Sequence, residues 1–205
     1  MTKNIEQYLE EIEAKFSVEL IPAQPEILQE INNEISREYP EFDRLANIIK
    51  KDVSLSSSIL MIINSAYFGL REKIVSIPHA VMLLGIDNLH NIVKSVMLRK
   101  MFKGSDRFIN DFWVTSTETA EFCAFLTSLL GRVSPEKAYT LGLFHNAGLA
   151  ILHQQFTDFT KIFQHGIMEP DYPVTQFEKK RFGINHSEVG AILSKKWGMH
   201  MDFCQ

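Results

Sequence analysis

Cysteine is scarce in this chain, with only Cys123 and Cys204 among 205 residues. Two thiols so far apart exclude a disulfide framework and a Cys-based zinc site. Cys123 stands inside the apolar run AEFCAFL and reads as a small buried hydrophobe. An excess of either charge is also missing: 21 basic and 25 acidic residues leave a formal charge of −4. That balance provides no general attraction for nucleic acid or anionic lipid, so neither is expected as a partner. Apolar runs such as Ile59 to Ile63 and Ala80 to Leu84 fall far short of the roughly 20 residues that span a bilayer, which predicts no transmembrane helix. The start, MTKNIEQYLEEIEAKF, is acidic and amphipathic and lacks the basic, apolar and small-residue order of a secretory signal, so the expected location is cytoplasmic. Glycines occur singly. No GxGxxG or GxxxxGK[ST] phosphate loop is present, and Gly104-Ser105 lacks the flanking glycines of a nucleophile elbow.

What the chain does have is a 45% share of hydrophobic side chains, enough for one large domain or two small lobes. They recur at three- and four-residue spacing, broken by Pro, Gly, Asn and Asp, and leave no convincing strand; the fold class is all-α. Helices are predicted over Ile5 to Phe16, then from Pro25 along the stripe Ile27, Leu28, Ile31 and Ile35, then over Glu41 to Lys50 and Leu55 to Ser65. A short helix follows Ser76 and Pro78 and stops at Gly85, and another runs from Asp87 to Phe102. Lys103 to Asp106 breaks the pattern and divides the chain into an N-terminal helical lobe, 1–103, and a C-terminal lobe, 104–205. The second lobe is predicted to hold helices over Ile109 to Gly131, Ser134 to His153, Phe156 to Gly166, Thr175 to Phe182 and Ser187 to Trp197. Asn185 with Glu188 three residues on forms a capping-box pattern before the last of these.

The segment AYTLGLFHNAGLAIL, from Ala138 to Leu152, sets His145 and Asn146 inside an otherwise apolar helix. Polar groups in a core require partners. His145 is therefore either a metal ligand or a hydrogen-bonded core residue. His186, at the start of an apolar helix, is the second inward-pointing histidine, and no HExxH pairs any of the seven. Asn64, Ser65, Tyr67 and Phe68 form a cluster of small polar and aromatic residues. Such a cluster suits a recognition surface, and it equally suits a helix end packed between lobes.

Taken in order, these segments resemble the HDOD family, the HD-related output domains of bacterial signalling proteins. Leu20 to Pro25 is similar to the family's "LP-x-LP" entry. Ile48 to Leu55 is similar to its "ii-x-x-D-P-x-L", with Val53 in the proline place. Asn64 to Gly69 resembles "NSA-x-(Y/F)-G", and Ile74 to Gly85 its continuation. Phe112-Trp113, Gly142 to Gly148, Phe182 to Gly190 and Lys196 to Gly198 extend the match through the second lobe.

The resemblance implies an HD-like multi-helix domain whose C-terminal lobe carries a degenerate HD pocket. In HD phosphohydrolases, an early His, an adjacent His-Asp pair and a later Asp hold metal that activates water. Here the early His falls at Thr115 and the Asp of the pair at Asn146, while His145 and His186 remain. A hydroxyl and an amide are poor substitutes for imidazole and carboxylate. The expectation is a relic pocket of Thr115, His145, Asn146 and His186, with no metal, no cofactor and no catalysis. The resemblance thus implies a regulatory module that binds a protein partner in a signalling pathway. The alternatives are a degenerate phosphohydrolase acting on a nucleotide or cyclic dinucleotide, and a sensor of a small ligand. The end of the chain, from Trp197 to Gln205, resembles a shortened or brief final helix. Met199 and Met201 are expected there as exposed side chains able to pack on a second subunit in a homodimer.

Overall fold

A computed structural model describes residues 5–15, 21–68, 70–102, 106–131, 133–169 and 172–199. Among them every regular element is helical: α1 Ile5–Lys15, α2 Glu26–Ile35, α3 Phe42–Lys50, α4 Val53–Ile63, α5 Ile77–Met101, α6 Arg107–Leu130, α7 Pro135–Phe144, α8 Ala147–Gln155, α9 Phe159–Met168, α10 Val174–Phe182 and α11 His186–Lys196, with a 3-10 turn at Ala66–Phe68. Two compact units form. The central unit comprises Gln24–Lys103 and Trp113–Leu143, and the terminal unit comprises Met1–Ala23, Gly104–Phe112 and Phe144–Gln205. Both units are thus assembled from separated stretches of chain, whereas composition alone suggests a single crossing near residue 104. The boundary residues Lys103, Gly104 and Ser105 lie outside the described residues.

In the central unit, Leu28 and Ile31 of α2, Leu45 and Ile49 of α3, and Leu55, Ile59 and Ile63 of α4 are fully or almost fully buried. Their i, i+3 and i+4 spacing turns one stripe of each helix toward the core. Asp52 caps α4 by accepting from the Leu55 backbone N–H at 2.8 Å, and it also receives the Lys100 ammonium at 2.7 and 2.9 Å. Those bonds hold the Asp52 carboxyl below its ordinary value. The end of α4 is closed by one side chain. The Asn64 amide nitrogen donates to the carbonyls of Leu60 and Ile74, both at 2.7 Å, and its oxygen accepts from the Ile74 N–H at 2.8 Å.

Helix α5 reaches the length and apolarity of a membrane span, yet 56% of that stretch is buried within the protein, as suits a core helix. Gly85, at φ +71, is non-helical and divides the stretch into two helices across a kink, as expected at this glycine. Near its middle, His90 bonds to the Asn32 side chain. Burial, helped by the charge of Lys94, lowers the His90 pKa to about 4.

The terminal unit is built on α8 and α11, which meet backbone to backbone. A Cβ on Gly148 would lie 1.9 Å from the His186 carbonyl oxygen, so only glycine fits there. Phe156, Phe159, Phe163 and Phe182 stack into one cluster beside them. Trp197 is fully buried, its ring edge-on to Phe144. Two sequence expectations fail in the second half of the chain. The helix expected over Ser134 to His153 is two helices, α7 and α8, separated at His145 and Asn146, because the α8 axis is set by its contact with α11. Met199 is buried, at 6% exposure, and is not available to a second subunit. Met201 and Cys204 lie outside the described residues.

Candidate functional site

The chemistry of the terminal unit concentrates at the N-terminus of α11. Gly183, at φ +78, ends α10 in the left-handed region and reverses the chain. Asn185 then caps α11, its side chain accepting from the Glu188 N–H at 2.9 Å while Glu188 accepts from the Asn185 N–H at 3.1 Å. The capping box legible in the sequence is present in full.

Into this helix start reaches Glu178, one turn before the buried Phe182 on α10 and itself 0% exposed. One oxygen of its carboxylate accepts from both the backbone N–H of His186 at 2.9 Å and the ring Nδ1 at 2.6 Å. Its other oxygen has no hydrogen-bond partner among the described residues. Bonding to Glu178 fixes Nδ1 as the protonated ring nitrogen and leaves Nε2 as the acceptor. Phe163 presses edge-on against the imidazole, with ring centroids 6.4 Å apart. His186 is therefore a buried, oriented imidazole.

A second carboxylate, Glu188, stands in the same turn and pairs with both Lys179 and Tyr8. Burial pushes its pKa up, but the bonds from Lys179, Tyr8 and the Asn185 backbone outweigh that and hold the carboxyl below its usual range. Glu188 in turn raises the pKa of Lys179. Two carboxylates thus converge on the positive end of the α11 dipole, where negative charge is stabilised.

His145 is exposed rather than buried and sits with Asn146 in the two-residue gap between α7 and α8. The expectation of a polar pair inside a helix core is corrected by that gap, which turns the imidazole outward. Asn146 is half-buried and occupies the cap position of α8, its carbonyl accepting from the Leu149 N–H at 2.9 Å. Thr115 is exposed on α6. It belongs to the central unit, while His145, Asn146 and His186 belong to the terminal unit.

These residues do not fit a divalent metal. The first donor is a hydroxyl and the second position of the pair is an amide, so two of the required imidazole and carboxylate ligands are missing. Among the described residues no three His, Cys, Asp or Glu side chains converge as ligands.

Of the first-lobe cluster, Asn64 has its amide consumed by main-chain groups, Ser65 is half-buried, and Phe68 is half-buried with its ring 6.1 Å from that of Tyr139. The side chain of Tyr67 lies outside those described.

Sequence reasoning misses Glu178. In VTQFEKKRF it looks like one more surface charge on a basic helix. The available signal is its position four residues before Phe182, on the face that also carries Val174.

The profile of the HDOD domain matches residues 21–205. A protein of Treponema pallidum (strain Nichols) whose role is uncharacterised is 25% identical over 180 residues, 87% of this chain and 35% of its own length. The chain spans about a third of the length of the curated relatives it matches. Among solved structures, a provisionally named phosphohydrolase from Shewanella amazonensis SB2B superposes with a TM-score of 0.71 at 22% identity, covering 98% of this chain and 68% of that one. A provisionally named signal transduction protein from Marinobacter aquaeolei VT8 gives a TM-score of 0.63 at 23% identity, covering all of this chain and 45% of that one. At these identities the structures establish a shared fold.

Proposed function

The chain belongs to the HDOD family, and from that premise we propose that it is a non-catalytic signalling module that works by binding another protein. The observation that carries this reading is the outer face of α6. Phe122, Phe125, Leu126, Leu129 and Leu130 recur at alternating spacings of three and one along it, and each is between 36% and 68% exposed. A contiguous apolar stripe of this kind on a monomer surface is the mark of an interaction site. Glu118 and Glu121 flank its N-terminal end, so the fitting occupant is an amphipathic helix of a partner protein with basic residues beside its apolar face. The segment around Asn64 is less suited to contact, because its amide is spent on the backbone of α4 and of Ile74.

Lack of catalysis is supported by the donor set. Thr115 and Asn146 replace the imidazole and carboxylate that HD chemistry requires.

A photocrosslinking residue placed at Phe122 and, separately, at Leu130 tests the surface. The expected result is one common heterologous adduct from both positions, absent from the same label at exposed Tyr39 and lost in Leu129→Glu. Equal adducts from all three positions, or adducts only between copies of this chain, would refute the reading.

A further inference from the structure

The central unit holds a cavity of about 240 Å³ between α4, α5 and α7 that is unrelated to the α6 stripe and to the α11 site. We propose that this cavity binds a small organic oxyanion, a phosphate or carboxylate group carried on a short apolar body.

Its polar end is built by three helices. Ser54 and Ser58, one turn apart on α4, present hydroxyls that make no side-chain hydrogen bond among the described residues. Arg99 and Lys100 come from the last turns of α5, and Tyr139 comes from α7. Lys100 is matched by Asp52 at 2.7 Å. Arg99 forms no ion pair among the described residues; its guanidinium rests over the Trp113 ring, 5.9 Å from the centroid. With Lys100 neutralised by Asp52, the cavity keeps one positive charge, and no carboxylate lines it.

Tyr139 supplies the independent observation. Only 5% exposed, it lines the cavity, and its hydroxyl has no hydrogen-bond partner among the described residues. Its oxygen is not one of the buried unsatisfied atoms, so it reaches the open space of the cavity as an available donor. Burial and, more weakly, the charge of Glu121 raise its pKa against the lowering effect of Arg99, so the phenol stays a donor. Guanidinium, phenol and two serine hydroxyls facing one space form an array of donors suited to an oxyanion.

The remaining wall is apolar, made by Met61, Ile62, Val96 and Leu143. That wall selects an organic body over a bare ion. The volume, about that of eight waters in the liquid, lies below the range of drug-sized pockets.

Titration of the full chain with phenyl phosphate, phenylacetate, inorganic phosphate and benzyl alcohol, followed by calorimetry and by amide shifts, tests the assignment. The two organic anions are expected to bind at millimolar affinity or better, at least about tenfold tighter than inorganic phosphate or the uncharged alcohol. The stronger of the two identifies the preferred headgroup. Tyr139→Phe removes only the hydroxyl and is expected to weaken binding several-fold; Arg99→Gln is expected to weaken it about tenfold or more. Arg181→Gln, which belongs to the terminal unit and does not line the cavity, is expected to change nothing. Thermal melts confirm that each variant is folded. No binding by either organic anion up to about 10 mM, or binding indifferent to both Tyr139→Phe and Arg99→Gln in folded protein, overturns the proposal.

Discussion

Replacing Glu178 by Gln isolates what the buried carboxylate contributes to α11. The change keeps the volume, so no cavity opens. It removes an acceptor that takes two bonds on one oxygen, from the His186 backbone N–H at 2.9 Å and from Nδ1 at 2.6 Å. Hydrogen bonds to a charged acceptor are worth about 1.5–3 kcal/mol each, and a neutral amide oxygen retains roughly half of that. The buried amide NH2 replaces the oxygen that already lacks a partner, and a charge that complements the helix N-terminus, worth about 0.3–1 kcal/mol, is lost. The sum is a destabilisation of about 3 kcal/mol, which for a chain of this size lowers Tm by about 6–12 °C. Urea and thermal denaturation followed by circular dichroism measure it. Long-range nitrogen-proton NMR on the His186 ring reports the tautomer, with the proton expected on Nδ1 in the parent and a mixture of tautomers in the variant. A Tm change below about 1 °C, together with an unaltered tautomer, would refute the reasoning, because it would mean that the carboxylate neither supports α11 nor orients the imidazole.

Gly148→Ala places a Cβ 1.9 Å from the His186 carbonyl, and since backbone has nowhere to yield, the expected loss is at least about 3 kcal/mol; a stability within about 1 kcal/mol of the parent would show that α8 and α11 can separate. His90, with its pKa lowered to about 4, binds its proton more readily in the unfolded chain. Stability from this group is therefore whole above about pH 6.5 and declines by up to about 3 kcal/mol as pH falls toward 4; His90→Gln, followed by denaturation across that range, should flatten this part of the profile. With manganese present, hydrolysis of bis-p-nitrophenyl phosphate or a cyclic dinucleotide is expected to stay at background, and turnover that disappears in His186→Ala would revive the enzymatic alternative.

The helical pattern was legible wherever a side chain announces itself locally. Asn185 and Glu188 signal the start of α11, and Gly85 signals a change of direction in α5, because caps and left-handed glycines act on their immediate neighbours. The division between α7 and α8 was not legible. Apolar periodicity continues on both sides of His145, and the break reflects where the α8 backbone must lie to meet α11, a relation between residues far apart in sequence. Glu178 was hidden for a related reason, since a glutamate on a lysine-rich helix takes its meaning only from the His186 it finds eight residues later. Met199 illustrates the converse: an apolar residue after Trp197 and Gly198 is folded back into the interior, which composition near a chain end cannot reveal.

The Asn64 clasp carries a consequence for how this protein tolerates change. One amide pins the end of α4 to Ile74, ten positions later, through three main-chain bonds. Whatever lies between, residues 65–73, is anchored at both ends independently of its own sequence. Lengthening a loop with fixed ends costs only a fraction of a kcal/mol per doubling, about 0.6. The segment can therefore be lengthened while α4 and the start of α5 keep their places, provided Phe68 stays, because its ring lies 6.1 Å from that of Tyr139 in the cavity wall.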